Sequence, residues 1–150
     1  MGYTLDYFVA SLQCPVCGAV SEADESTNMQ THIQKNPELA YLGVGHTLEF
    51  EPKFMENCGY LTIQPSQPDQ EIRILQTWEC SSCGDPYNWA EVVVLNNVIK
   101  EIVAVEINRT VFEQAHYISD ECLSIAADLT GRSCSDVIQD DLVKILRERL

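Results

Sequence analysis

Four cysteines stand in two matching units, Cys14-Pro15-Val16-Cys17-Gly18 and Cys80-Ser81-Ser82-Cys83-Gly84. Two thiolates separated by two residues can face one ion if the backbone turns tightly between them. The glycine after the second cysteine tolerates the positive φ of that turn and lets backbone amides approach the sulfurs. Four thiolates fill a tetrahedron and leave no position open for a substrate, so the pattern predicts structural zinc held by Cys14, Cys17, Cys80 and Cys83. The same all-sulfur set can hold iron for electron transfer. Dithiol exchange is the third use of such pairs, but a Cys-Pro-Val-Cys redox motif should open a helix, and the stretch GAVSEADEST over residues 18–27 is a poor helix start.

The two units resemble the zinc-ribbon, or rubredoxin-knuckle, class of metal sites. The resemblance covers both five-residue knuckles and their flanking strands, and it implies one metal ion ligated by the four cysteines named above. The chain departs from a compact ribbon in the 62 residues, 18 to 79, that separate the knuckles. A metal clip across so long an insertion removes loop-closure entropy, a cost that grows slowly with length. The total of seven cysteines is odd, which fits a reducing compartment better than a closed disulfide framework. Cys122 is expected in a helical core face, Cys134 in the first turn of another helix, and Cys58 in a turn with Gly59; none is needed as a ligand.

The elements that must position the knuckles can be read from periodicity. Residues 4–13 form a β-rich run into the first knuckle, and a short helix is expected over Asn28–Gln34, closed by Pro37. Strands are expected at Val44–Glu51 and Tyr60–Gln64, with Pro65 to Asp69 as a surface loop. In Glu71–Cys80, Ile72, Ile74, Trp78 and Cys80 share one parity, the pattern of a half-buried strand that delivers its last residue to the metal. Trp89–Leu95 and Val98–Ile107 flank Asn96-Asn97, a pair that tolerates the left-handed conformation of a two-residue hairpin turn. Val92 to Leu95 is apolar on both faces, as in a central strand covered by helix.

The C-terminal third reads as helix. Thr110 and Glu113 match a capping box; Val111, Ala115, Ile118, Cys122, Ile125, Ala126 and Leu129 recur mostly at steps of three and four, and Gly131 stands where a C-cap is wanted. Ser133 with Asp136 begins a second helix carrying Ile138, Leu142, Ile145 and Leu146. The expectation is a single α+β domain over 1–150: a zinc-ribbon-like, β-rich part over 1–107, whose antiparallel sheet the four cysteines staple, and a helical hairpin over 110–149 packed on that sheet.

Composition bounds the function. At 45% hydrophobic and 21% charged, the chain is globular. Nine Lys and Arg against 23 Asp and Glu give a formal charge of −14, the wrong sign for neutralising phosphates, so direct nucleic-acid binding is not expected. No apolar run approaches the ~20 residues of a membrane span, and the N-terminal stretch lacks a basic region, so a cytoplasmic location is expected. Residues 132–150 balance four basic against four acidic groups, which places all of the negative charge in residues 1–131.

Catalytic candidates are few: His32, His46 and His116 are isolated, and Gly43 to His46 is too short for a phosphate loop. Tyr87 and Trp89, just past the second knuckle, are candidate partner-binding residues, and would equally serve to cover the metal site. These features suggest a non-enzymatic, zinc-stabilised acidic interaction module that binds a more basic protein, similar in size and composition to bacterial immunity proteins that neutralise a partner. A zinc-ribbon component of transcription or RNA-processing machinery and an iron or dithiol electron-transfer protein are the alternatives.

Overall fold

β-Branched and aromatic residues make up more than half of residues 72–78, 89–94 and 98–105, and their stiff side chains suit a pleated backbone. The computed structural model describes residues 6–31, 33, 39–49, 60–64, 67, 69–85, 88–119, 131, 133, 144–145 and 147–148. In chain order the strands are β1 (Asp6–Phe8), β2 (Gln30–Thr31), β3 (Tyr41–Leu42), β4 (Tyr60–Thr62), β5 (Ile72–Trp78), β6 (Asn88–Leu95), β7 (Val98–Val105) and β8 (Tyr117–Ser119). A 3-10 turn at Glu25–Thr27 and the six-residue helix α1 (Arg109–Gln114) complete the named elements.

The strands make two sheets, a small one in the order β2-β1-β3 and a larger one in the order β4-β8-β5-β6-β7. The sequence from β5 to β7 is an antiparallel meander. Its first connection carries the second knuckle between Trp78 and Asn88, which pair directly. Its second is the expected hairpin turn: Asn96 and Asn97 have φ of 50° and 64°, and Leu95 pairs with Val98. The register slips between Val93 and Val94, leaving Lys100 as the extra residue of a bulge, where its ammonium meets Glu71 at 2.8 Å.

Both faces of the larger sheet are buried along most of β5 and β6, while β7 is exposed at Lys100, Glu101, Val103 and Ala104. Ile74, Trp78, Val92, Val94 and Ile102 share a core with Phe8 and Leu12, which precede the first knuckle, and with Met29, Leu42 and Leu48 from the insertion between the knuckles. On the opposite face Leu75, Trp89 and Ile118 pack with Phe112 and Ala115. β5 is therefore covered on both sides from Ile74 to Trp78, rather than half-buried. Gln76 and Thr77, the polar residues of that run, are buried with it.

Several expectations need correction. The described chain is mostly β, and it does not show two C-terminal helices packed on an antiparallel sheet. The long helix expected from Thr110 ends at Gln114. Ala115 turns extended (ψ 145°), and Tyr117–Ser119 enters the larger sheet as β8, antiparallel to β4 and parallel to β5. The sheet is thus mixed, and β1 and β3 also pair in parallel. The cap of α1 is Asn108, whose side chain accepts from the Val111 amide at 2.9 Å, two residues before the expected Thr110. Most of the second expected helix lies outside the described residues, as do Cys58, Cys122 and Cys134. At Asn28–Gln34 the described residues give a left-handed Asn28 and then β2, in place of a helix. Within Val44–Glu51, residues 44–45 form a turn and Thr47 makes a single bridge to Val98. Among the described residues no helix is long and apolar enough to cross a membrane.

Candidate metal centre

Each knuckle closes a pair of antiparallel arms, and the two are built alike. In the first, Gln13 bridges Val20, the Cys14 amide donates to the Ala19 carbonyl at 2.9 Å, and the Gly18 amide donates to the Cys14 carbonyl at 2.9 Å. In the second, the Cys80 amide donates to the Asp85 carbonyl at 3.0 Å, and the Gly84 amide to the Cys80 carbonyl at 2.7 Å. Gly18 and Gly84 take φ of 78° and 79°, the left-handed turn that the Cys-x-x-Cys-Gly spacing requires. The first cysteine of each knuckle is buried and the second exposed.

The sulfurs meet crosswise. Cys14 Sγ lies 3.7 Å from Cys83 Sγ, and Cys17 Sγ lies 3.6 Å from Cys80 Sγ, so each buried thiol faces the exposed thiol of the other knuckle. All four sulfurs lie within 4.8 Å of one another. A tetrahedron with metal–sulfur bonds of ~2.3 Å has sulfur–sulfur edges of roughly 3.8 Å. The four cysteines therefore fit a single metal ion, and the distances are too long for disulfides, whose sulfurs sit ~2.0 Å apart.

The protonation of the cluster shows what such an ion would replace. The Cys83 and Ser82 amides donate to the Cys80 sulfur and stabilise its thiolate against the opposing effect of burial; hydrogen bonds from Cys17 and Cys83 act in the same direction, and the pKa falls to about 7. At Cys83 the Asp85 amide favours the thiolate, but burial and the neighbouring Cys80, Cys14 and Cys17 thiols outweigh it, and the pKa is pushed up to about 12. Four sulfurs this close cannot all ionise unless a cation compensates them.

The surroundings fix the cluster to the fold. Trp78, 1% exposed, is two residues before Cys80 and donates its indole N–H to the Trp89 carbonyl at 3.1 Å. The Glu79 amide donates to the Thr27 carbonyl at 2.9 Å, and Asn28 Nδ2 donates to Glu79 Oε1 at 2.9 Å, which ties the second knuckle to the insertion. Ser21 locks the first knuckle: its hydroxyl accepts from the Leu12 amide and donates to the Ala10 carbonyl.

Trp89 is not a loop residue. It lies in β6 and is 8% exposed within the second core cluster. Tyr87 lies outside the described residues. Of the histidines, His116 is buried with its Nδ1 accepting from the Arg73 amide at 3.1 Å. His46 sits in the loop before Thr47, and neither approaches the thiol cluster.

One feature carried no signal in the sequence. Beside the first knuckle, Pro15 and Gly18 face Trp89 and the residues 104–107 across an open cleft of ≈ 950 Å³. Val16 and Val20 of the first knuckle's hairpin are 67% and 65% exposed. The cleft exists because the knuckle and the end of β7 converge from parts of the chain some ninety residues apart, a distance periodicity cannot bridge. Compared with protein-family models, with curated proteins and with solved structures, the chain matches none.

Proposed function

We propose that the chain is a zinc-clamped, acidic interaction module that binds a more basic protein and performs no chemistry at the metal. The observation that carries this reading is the closed set of four sulfurs, paired crosswise at 3.6 and 3.7 Å. Four protein thiolates satisfy a tetrahedral ion and leave no position for substrate or water, which is the arrangement of a structural site. The ion joins the strands leading into both knuckles, and through them the insertion, into one core. A formal charge of −14 then steers association toward a basic partner and disfavours nucleic acid. A neutralising protein of the immunity type is the most concrete form of this module, since covering a basic partner needs charge and shape but no catalytic constellation.

The test begins with elemental analysis and a visible spectrum of the freshly purified chain. One equivalent of zinc and a colourless solution are expected; an iron–thiolate absorption band would instead select the electron-transfer alternative. Affinity capture with the metal-loaded chain should then recover a specific basic protein, released by salt. Recovery of nonspecific species alone overturns the interaction reading. A salt-sensitive shift of labelled RNA or DNA would move the chain to the nucleic-acid machinery.

A further inference from the structure

β7 is the last strand of the larger sheet, and among the described residues its outer side is engaged only at its beginning. There the Thr47–Val98 bridge and the hydrogen bonds of Gly45 and His46 with Ile99 close it off. From Glu101 to Val105 no described strand pairs with it, and Glu101, Val103 and Ala104 are exposed. An open edge of this kind is a template for a further strand. Its end borders the ≈ 950 Å³ cleft, whose lining includes Pro15, Gly18, Trp89, Ala104, Val105 and Glu106. That volume is at the upper end of the roughly 300–1,000 Å³ typical of ligand pockets.

The charge around the cleft selects the occupant. Residues 1–34 and 74–99, which carry both knuckles and the strands leading into them, contain no Lys or Arg. Their acidic residues that reach the surface are Glu22, Asp24, Glu25, Glu79 and Asp85, and Glu106 lines the cleft itself. A divalent ion held by four thiolates adds a local charge of about −2. Apolar lining residues beside Glu106, a strand edge unpaired among the described residues, and knuckle segments without Lys or Arg together fit a chain segment that is extended, apolar on one face and basic on the other.

We propose that the cleft between the first knuckle and the end of β7 is where the partner docks, through an extended Lys/Arg-bearing segment. The segment adds along the outer edge of β7 and places an apolar side chain against Pro15, Trp89 and Val105. This inference rests on the interaction reading above and narrows it to one surface and one kind of segment.

The test is an amide-resolved NMR titration of the metal-loaded chain with a short synthetic peptide of alternating valine and lysine. The shifts are expected at Gly18, Trp89 and residues 103–106. A peptide in which serine replaces valine should bind much more weakly. Ala104→Arg, which fills the cleft from an exposed strand position, should weaken the valine–lysine peptide about tenfold, the effect of losing ~1.4 kcal/mol. Val44→Arg adds the same charge at an exposed turn, and should leave binding within about twofold. Shifts centred elsewhere on the acidic surface, equal binding of the serine peptide, or equal effects of the two arginine variants each overturn the cleft as the docking surface. Those results leave the interaction module itself to the capture experiment, where its partner would still be recovered. If the cleft amides shift with the concentration of the chain alone and sedimentation shows a dimer, the occupant is a second copy and the proposal fails.

Discussion

Removing the metal should lower the melting temperature by an amount that the chain's own topology sets. The crosswise pairs Cys14–Cys83 and Cys17–Cys80 close a loop containing the 62 residues from 18 to 79. A cross-link over a loop of that length removes about 4 kcal/mol of unfolded-chain entropy. For a domain of about 150 residues this corresponds to a fall of roughly 8–16 °C. The estimate is a lower bound, because the loop also delivers Met29, Leu42 and Leu48 to the first core cluster, and a loosened loop packs them less well. Cys80→Ser should reproduce the chelated state, since it breaks the Cys17–Cys80 contact and leaves three sulfurs. Val20→Ser, at a position 65% exposed beside the first knuckle, should leave both metal content and melting unchanged. Acid should act in the same direction as chelator. The ion must displace the proton that Cys83 holds with a pKa of about 12, so affinity falls as pH falls. The assay is circular dichroism melting with metal content measured on the same samples. A chain shown to be metal-free that melts within about 2 °C of the loaded form would refute the reasoning, because a closure worth several kcal/mol cannot vanish from the melting curve.

Two further outcomes probe the opposite face of the sheet. Phe112→Ala should cost about 3–5 kcal/mol in urea unfolding, because its fully buried ring fills the second core cluster against Leu75, Trp89 and Ile118. The variant should keep its full metal content, and a loss below about 1 kcal/mol would mean that α1 is not anchored there. His116 should give an acid-sensitive contribution: burial, and then the nearby Arg73 charge, hold its pKa below the usual imidazole value. Its Nδ1 accepts from the Arg73 amide, while Nε2 is buried without a partner among the described residues, so neither nitrogen gains from a second proton. The unfolded chain therefore takes up the proton first. The stability is fully present above the ordinary imidazole pKa of ~6.5 and is lost as pH falls below it, by up to about 1.4 kcal/mol per pH unit. His116→Asn, which can still accept the Arg73 amide, should unfold with a shallower pH dependence between about pH 7.5 and about pH 5.5; identical slopes would remove His116 from the account.

What the sequence made legible was local. The Cys-x-x-Cys-Gly spacing is a complete instruction for a turn, because each glycine supplies the left-handed φ and each first cysteine sits where its carbonyl meets the glycine amide. Two such turns sharing one ion is the least costly way to satisfy four thiols, so the cluster followed from the motif alone. Asn96-Asn97 was equally explicit, since both residues accept positive φ and the apolar runs on either side had to pair. The alternation in Glu71–Cys80 identified the right strand, although Leu75 broke the pattern. That break was itself the sign of a second buried face, which Phe112 and Ile118 cover.

The C-terminal reading failed where a local pattern met a sheet edge it could not see. Val111, Ala115 and Ile118 satisfy a helical repeat, yet Ile118 is paired with Leu75 on one side and Leu61 on the other. β4 ends at Thr62 and β5 begins at Ile72, and without β8 between them both would present open edges within the sheet. Residues 117–119 are Tyr, Ile and Ser; the first two are strong strand formers whose helix propensity is middling at best. Filling that gap satisfies two ladders of backbone hydrogen bonds and buries both side chains, whereas continuing α1 would satisfy only one ladder and leave the edges open. The same accounting bears on the outer edge of β7. The molecule closes one internal gap by turning a helix-like segment into a strand, whereas among the described residues nothing pairs with the outer edge of Glu101–Val105 next to the cleft. An edge that the fold has not covered with its own described strands, although it spends a segment on covering another, is where a strand from a partner has the most to gain.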